Sequence, residues 1–366
     1  MTDKEALLAL NLIGNIGSRR LQGLLRCFGS ASRIFSARRQ ELVRACGIGE
    51  NIASRIASFN SEALSREFSL AKSHGLSIIT QSERDYPENL KNIPDPPLVL
   101  YVRGSLSRDD NLAFAIVGSR LASVYGLTNS EHLAGELACL GFTVVSGMAR
   151  GIDTAAHRGA LRAGGRTIAV IGSGFNHIYP RENKGLAERI SENGAVISEF
   201  PIDTVPLKQN FPRRNRVISG LSLGVLVAEA ALNSGALITA DFALEQGREV
   251  FALPGKIDAM TSSGTNGLIK QGAKLVSGIE DILEELKSPL MARVCRRQKE
   301  GSPEINRDSV DREEALLYNL IPKDPVSLDD IIEKSSFGIP RLSALLLSLE
   351  FKRLIRELPG KNFVRA

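Results

Sequence analysis

The alternation of apolar and polar positions divides the chain into three zones. Up to about residue 80, apolar residues recur at helical spacing between glycines, which predicts short helices followed by one strand, LSIIT, at 76–80. From about residue 113 to 287, short apolar runs rich in β-branched residues alternate with glycine-bearing turns and amphipathic stretches. After a polar segment, helical spacing returns at Glu313.

The middle zone has the pattern of a parallel sheet. Strands that alternate with helices form βαβ units, and runs this continuously apolar are typical of a sheet with both faces covered. We therefore predict a doubly wound α/β domain. Its predicted strands are AFAIV (113–117), FTVVS (142–146), TIAVI (167–171), AVISEF (195–200), LGVLVAE (223–229), REVFALP (248–254) and AKLV (273–276).

The last zone has the element order of a winged helix. Three helical patterns precede two short strands about Pro359 and Gly360. The segment before them is polar and has no hydrophobic period, which indicates a flexible linker. The predicted segments are a helical domain at 1–80, the α/β domain at 81–287, the linker at 288–312 and the winged helix at 313–366.

Positive charge is concentrated at the start of the chain. The 366 residues carry a net charge of +5, and the first 60 contain nine basic and four acidic residues, so the remainder is neutral in sum. This excess favours a polyanionic partner. The winged-helix segment has eight basic and eight acidic residues, and its candidate recognition helix at 342–351 is mostly leucine. Protein contact or regulation is therefore at least as well supported there as DNA binding.

Several classes of protein are disfavoured by the absence of their motifs. The four cysteines form no C-x-x-C pair, which argues against a disulfide scaffold or a zinc site, and we expect neither metal nor cofactor. The sequence has no Walker loop, no H-x-x-x-H pair and no G-x-S-x-G elbow. Because no cleavage-site pattern and no long apolar window occur, we expect a cytoplasmic protein without membrane contact.

Three glycine-bearing loops follow the first three strands of the α/β zone. They are GSR (118–120), SGMARGID (146–153) and GSGFNHIYPREN (172–183), in that order. In an open parallel sheet, ligands bind where such loops run into helix N-termini, whose free amides attract phosphate. Arg120 adds a charged donor, although a tight turn with a surface arginine explains one such loop equally well. In the second loop Arg150 pairs with Asp153, for which we favour N-capping of the next helix over catalysis. The candidate binding residues of these loops are Gly118, Ser119, Arg120, Ser146, Gly147, Gly172 and Gly174.

A cationic segment with one aromatic residue follows the fourth strand. Cations around an aromatic ring suit single-stranded nucleic acid, because the charges bind phosphates while the ring stacks on an unpaired base. A core position for Phe211, with solvated arginines around it, is equally supported by these residues alone. In KQNFPRRNRVISG (208–220) the cations are Lys208, Arg213, Arg214 and Arg216.

Two segments near the N-terminus share the form apolar-Gly-x-Ile-Gly followed by a helix. They are LIGNIGSRRLQGLL (12–25) and ACGIGENIASRIAS (45–58). Such a helix-hairpin-helix turn can offer backbone amides to a DNA phosphate, and we favour DNA contact slightly over packing alone. Glu199 and Glu229 lie at strand ends, where we expect them to orient loops rather than to act as acid or base.

Six motifs, in order, strongly resemble the DNA-processing protein A family of bacteria (DprA, also called Smf). They are VGSR (117–120), SGMARGID (146–153), GSGFNHIYP (172–180), FPRRNRVISGLS (211–222), SGALITADFALEQGREVFALPG (234–255) and GTNGLIKQGA (264–273). The resemblance implies an extended Rossmann fold that forms homodimers and has no enzymatic activity. It also implies that the protein binds single-stranded DNA taken up in natural transformation, protects it from nucleases and helps to load the RecA recombinase.

The resemblance also selects residues for the DNA pocket. They are Arg120, Arg181, Lys208, Phe211 and Arg214, with Thr239 nearby, and Arg213 and Asn215 belong to the same FPRRNR motif. The chain departs from the family at Asn176, where Asp is common, and at Ala236, where Ser is frequent.

Two other functions are weighed against this one. Related Rossmann-like enzymes hydrolyse nucleoside monophosphates and share a P-G-G-x-G-T-x-x-E stretch. The corresponding LPGKIDAMTSSGTNGLI (253–269) is interrupted and lacks the glutamate, which makes this the weaker alternative. A third hypothesis, a regulator that binds double-stranded DNA through the helical termini, is opposed by the neutral winged helix.

Overall fold

The computed structural model describes residues 1–44, 48–286, 312–322, 326–335, 337–351, 354–358 and 362–365. These residues belong to two compact units, 1–297 and 298–366. The predicted linker at 288–312 lies outside the described residues except at its last position, and the turn at 359–360 also lies outside them. Among the helices that the structure describes, none is both long and apolar enough to cross a membrane.

The first unit begins with short helices, as the apolar spacing predicts. The first of them starts at a capping box, in which Thr2 and Glu5 each bond the other's backbone amide. Its buried leucines join an apolar cluster that includes Tyr101 and Val196 of the sheet, so this region packs directly against the sheet. The helices are α1 (Asp3–Ile13), α2 (Ser18–Phe28), α3 (Ala31–Ser36), α4 (Arg39–Arg44), α5 (Glu50–Ala57) and α6 (Ser61–Ser73).

A nine-stranded, mostly parallel sheet forms the centre of this unit. Its strands are β1 (Ser77–Thr80), β2 (Val99–Gly104), β3 (Ala113–Val117), β4 (Thr143–Ser146), β5 (Thr167–Val170), β6 (Gly194–Ser198), β7 (Gly224–Val227), β8 (Glu249–Ala252) and β9 (Lys274–Leu275). Their order is β1-β2-β6-β5-β4-β3-β7-β8-β9, with β1 and β2 antiparallel to their neighbours. All seven strands predicted for the α/β zone are present, and LSIIT contributes β1.

The strand order reverses at β3. The chain runs outward from β3 through β4, β5 and β6, and then crosses back to β7 on the other side of β3. The carboxyl ends of β3 and β7 therefore flank a topological switch point, which is the usual ligand site of such sheets. The sequence pattern misses β2, because an antiparallel strand with no crossover helix does not fit the βαβ repeat.

Helices cover both faces of the sheet, as a doubly wound domain requires. Alternate residues of β3 point to opposite faces, with Phe114 in one apolar cluster and Val117 in the other. The Phe114 face is covered by α8 (Val124–Cys139), α9 (Ile152–Arg162) and α14 (Ile279–Glu285). The Val117 face is covered by α7 (Glu88–Lys91), α11 (Asn210–Leu221), α12 (Gly235–Glu245) and α13 (Ser263–Lys270), while α10 (Lys184–Glu192) joins the N-terminal helices.

The second unit has the three helices and the β-hairpin predicted for a winged helix. Its elements are α15 (Arg312–Leu320), β10 (Val326–Ser327), α16 (Leu328–Lys334), α17 (Ile339–Phe351), β11 (Ile355–Leu358) and β12 (Asn362–Arg365). The leucines of α17 are explained by burial, because Leu342, Leu345, Leu346 and Leu349 form the core of this unit.

Candidate nucleic-acid interface

A cavity of about 610 Å³ opens at the switch point, beside the carboxyl ends of β3 and β7. The loop after β3, the first turns of α11 and the start of α12 form its walls. Eight of the predicted binding residues therefore come together in one cavity. They are Gly118, Ser119, Arg120, Lys208, Phe211, Arg214, Asn215 and Thr239.

Arg214 places a buried positive charge at the inner end of this cavity. Its side chain is 5% exposed, and its Nη1 donates to the carbonyl oxygens of Gly147, at 2.5 Å, and Val170. Burial lowers the pKa of Arg214 to about 10, so the guanidinium stays protonated at neutral pH. Asp153 also lines the cavity, and burial raises the pKa of that carboxyl while the Arg214 charge opposes the rise. The charge of Arg214 is therefore a fixed part of the site.

Aromatic and cationic groups meet at the rim. The guanidinium carbon of Arg120 lies 5.1 Å from the centroid of the Phe211 ring, and the rings of Phe211 and Tyr179 are 5.8 Å apart, centroid to centroid. Lys208 and Arg120 are exposed, and Tyr179 is 42% exposed, so these groups are accessible to a ligand. Tyr179 was not among the predicted binding residues. An aromatic residue two positions before the predicted cation Arg181 is the sequence feature that could have identified it.

Glu229 holds the Arg120 loop, as predicted for this strand-end carboxylate. The Ser119 amide donates to the Glu229 carbonyl oxygen at 2.7 Å. One Glu229 carboxylate oxygen accepts from the Ser123 amide at 3.0 Å and from the Ser123 hydroxyl at 2.7 Å. Glu199 likewise accepts from Arg216 Nη2 at 2.5 Å. Both glutamates therefore accept hydrogen bonds from backbone or arginine, as predicted, and so orient the surrounding chain.

Six predicted residues lie outside the cavity lining. Arg213 is directed elsewhere, because its guanidinium carbon lies 5.2 Å from the Phe200 ring centroid and its Nη2 lies 3.9 Å from Glu199. Arg181 is exposed and is not part of the lining. Ser146, Gly147, Gly172 and Gly174 are buried supports: the Ser146 hydroxyl donates to the Ile116 carbonyl at 2.6 Å, and the three glycines allow close packing.

The pairing and the cap expected in the second loop are both wrong. Arg150 pairs with Glu182 of the third loop instead of Asp153. The N-cap of α9 is Gly151, while Asp153 lies inside the first turn and accepts a hydrogen bond from the Ala149 amide at 3.2 Å. Asp153 therefore ties down the preceding loop rather than capping the helix.

The first helix-hairpin-helix turn makes contacts within the chain, as the packing alternative predicts. At the N-terminus of α2, the Ser18 amide donates to Asp95 Oδ1 at 3.0 Å, and the buried Ser18 hydroxyl donates to the Pro96 carbonyl at 2.6 Å. An internal carboxylate thus occupies the position predicted for a DNA phosphate. Residues 45–47 of the second copy lie outside the described part of the chain.

Comparison with known proteins agrees with this geometry. The family described as DNA recombination-mediator protein A matches residues 77–287, and the DprA winged helix domain matches residues 302–361. Protein Smf of Escherichia coli K12 is 42% identical over 320 residues, which cover 86% of this chain and 83% of Smf.

Two solved structures share the fold. DNA processing protein A from Streptococcus pneumoniae has a TM-score of 0.67 and 36% identity, over 78% of this chain and 98% of that one. DNA processing protein A from Helicobacter pylori, described for its unique single-stranded DNA binding mode, has a TM-score of 0.52 and 32% identity, over 58% of this chain and 95% of that one. The fold and the matched domains define a DNA-processing protein with a winged helix. The chain belongs to the DprA/Smf family of DNA recombination mediators.

Proposed function

We propose that this protein binds single-stranded DNA without sequence specificity, in the cavity at the switch point of the sheet. The observation that carries the proposal is the buried Arg214 charge at the inner end of a cavity whose rim holds Arg120, Lys208 and Phe211. Cations contact phosphates and rings contact base faces, and every nucleotide offers both. Binding is therefore expected to depend little on sequence.

The proposal extends to a role as mediator in natural transformation and recombination. The protein would protect incoming single strands and help to load the RecA recombinase on them, as a homodimer in the cytoplasm. Membership of a family of recombination mediators supports this extension.

Binding rather than catalysis is the proposed activity of the site. The carboxylate of Glu229, which holds the loop after β3, is engaged by Ser123. This engagement favours a structural role for Glu229 over the general base that a nucleoside-monophosphate hydrolase would need.

The mediator role is tested by nuclease protection and recombinase loading. The wild type should shield a long labelled single strand from an exonuclease and speed filament formation by RecA on a strand covered with single-strand-binding protein. Lys208→Ala should be weaker in both assays, because it lowers occupancy of the strand. Normal protection and loading by Lys208→Ala together with Arg120→Ala would contradict the proposal.

A further inference from the structure

The loop between β4 and α9 contains a buried residue in an unusual backbone conformation. Met148 is fully buried and has a φ of +57°, in the left-handed region that residues other than glycine rarely adopt. Such a conformation persists only when surrounding contacts hold it. The contacts of Met148 therefore show which residues fix the loop.

Asn183 of the third loop supplies the contact. Its Nδ2 donates to the Met148 carbonyl oxygen at 2.8 Å and to Thr154 Oγ1 at 2.9 Å, and Thr154 Oγ1 donates to the Ala149 carbonyl oxygen at 2.7 Å. The side chain is 5% exposed. Asn183 precedes α10 in the N-cap position, but its side chain makes no capping hydrogen bond to that helix. The amide group is thus directed to the Met148 loop rather than to its own helix.

The held loop in turn supports the backbone of the binding residues. The Ile152 amide donates to the Ser119 carbonyl oxygen at 3.2 Å. Gly151 approaches so closely that a Cβ there would lie 2.3 Å from the Ser119 carbonyl oxygen and 2.9 Å from that of Arg120. A change in the backbone at Met148 would therefore displace Gly151 and Ile152, three and four residues later, and with them the backbone of Ser119 and Arg120.

We propose that Asn183 is a positioning residue of the binding site, which fixes Met148 and through it the loop that presents Ser119 and Arg120. Asn183 does not line the cavity and acts only through this loop. The inference rests on the proposed function, because it concerns the same DNA site.

The first test compares Asn183→Ala with a matched variant, Asn193→Ala. Asn193 Nδ2 likewise makes two hydrogen bonds, in this case to the backbone carbonyl oxygens of Gly164 and Gly165. Those glycines precede β5 and so lie at its amino end, away from the cavity. Asn183→Ala leaves the buried Met148 carbonyl without its partner and lets the Met148 loop relax, so it should weaken binding of labelled oligo-dT about tenfold. Asn193→Ala should weaken binding less than about twofold. Equal affinity for Asn183→Ala and the wild type would overturn the proposal.

A pair of double-mutant cycles separates positioning from a general loss of stability. In the Arg120→Ala background the Asn183→Ala loss should shrink to less than about twofold, because the group that it positions is already gone. In the Lys208→Ala background the loss should stay near tenfold, because Lys208 belongs to another segment. Full losses in both backgrounds would overturn the proposal.

Hydrogen exchange gives a readout that does not depend on DNA. Amides of residues 118–123 should exchange faster in Asn183→Ala than in Asn193→Ala, since the loop that supports them is released. Unchanged exchange there would overturn the inference even if oligo-dT fails to bind. Failure of the wild type to bind oligo-dT, with faster exchange in Asn183→Ala, would overturn the proposed function alone.

Discussion

Arg213 and Arg214 are neighbours in α11 and have opposite surroundings. Successive helical residues point about 100° apart, so Arg214 enters the cavity while Arg213 faces Phe200 and Glu199. The motif alone cannot separate the two, because both are cations beside Phe211. The helix orientation decides which charge a phosphate meets.

At the residue scale we expect Lys208→Ala and Arg213→Ala to differ. Lys208 lines the cavity and is exposed, so its loss should weaken binding of oligo-dT and lower the slope of log affinity against log salt by about 0.7. Arg213→Ala removes the same charge outside the cavity and should leave both quantities nearly unchanged. Fluorescence anisotropy over a salt series measures both. Equal effects of the two variants would contradict the assignment.

A second prediction concerns His157, which is fully buried in α9. Its Nδ1 lies 2.7 Å from Thr167 Oγ1, whose own hydrogen is donated to the Val144 carbonyl, so Nδ1 carries the histidine proton. Burial lowers the pKa of His157 to about 3 from 6.5, with a smaller contribution from Arg214. His157 is therefore protonated below about pH 6.5 in the unfolded chain but stays neutral in the folded chain. As a result, the free energy of unfolding falls as the pH falls from about 6.5 towards 3.

Urea unfolding at two pH values measures this effect. Between about pH 7.5 and 5.5 the wild type should lose about 1.4 kcal/mol of unfolding free energy through His157. His157→Gln should lack that loss, whatever its absolute stability, while the exposed His132→Gln should keep it. The same pH dependence in all three proteins would contradict the account of His157.

At the scale of elements, the loops at the carboxyl ends of the strands build the site in two layers. The loop after β3 and the start of α11 supply the groups that line the cavity. Gly147 of the second loop and Gly172 of the third lie behind them, since Gly147 accepts from Arg214 and Gly172 packs on Phe211. Ala149 and Asp153 of the second loop reach the lining itself. Close packing explains why glycine is required in this second layer.

The Gly147 position tests that layering. A Cβ there would lie 2.5 Å from Arg214 Nη1, and the guanidinium cannot move away without losing its two carbonyl partners. Gly147→Ala should therefore weaken oligo-dT binding at least about tenfold. Gly185→Ala is the control, because no neighbouring atom of the described residues lies within 4 Å of a Cβ placed there, and alanine favours the helix. Full affinity in Gly147→Ala, measured by anisotropy, would contradict the packing argument.

The parallel strands and the cavity-lining motifs could be predicted from the sequence, because apolar periodicity and glycine-bearing loops are local signals. Long-range contacts could not. Asp95 accepts a hydrogen bond from the Ser18 amide, 77 residues earlier in the chain, and Glu182 of the third loop forms an ion pair with Arg150 of the second. Neither Asp95 nor Glu182 belongs to a recognisable motif, so these two contacts can be identified only from the folded structure.

For the whole molecule, the two units have separate cores. The described residues that line the cavity belong to the first unit, while Leu342, Leu345, Leu346 and Leu349 stabilise the second. We therefore expect a chain that ends at residue 286 to bind oligo-dT within about twofold of the full chain. Anisotropy titration of both proteins checks this, and a tenfold loss on truncation would show that the second unit takes part.

The measurement that tests the central claim most directly is a competition titration with labelled oligo-dT, at low and high salt. We expect tight binding that weakens steeply with salt, and poor competition by duplex DNA and by mononucleotides, because the strand engages several phosphates and unpaired bases together. Arg120→Ala and Lys208→Ala should weaken binding alike for different base sequences. Displacement by mononucleotides at similar concentration, or unchanged affinity in both variants, would contradict the account.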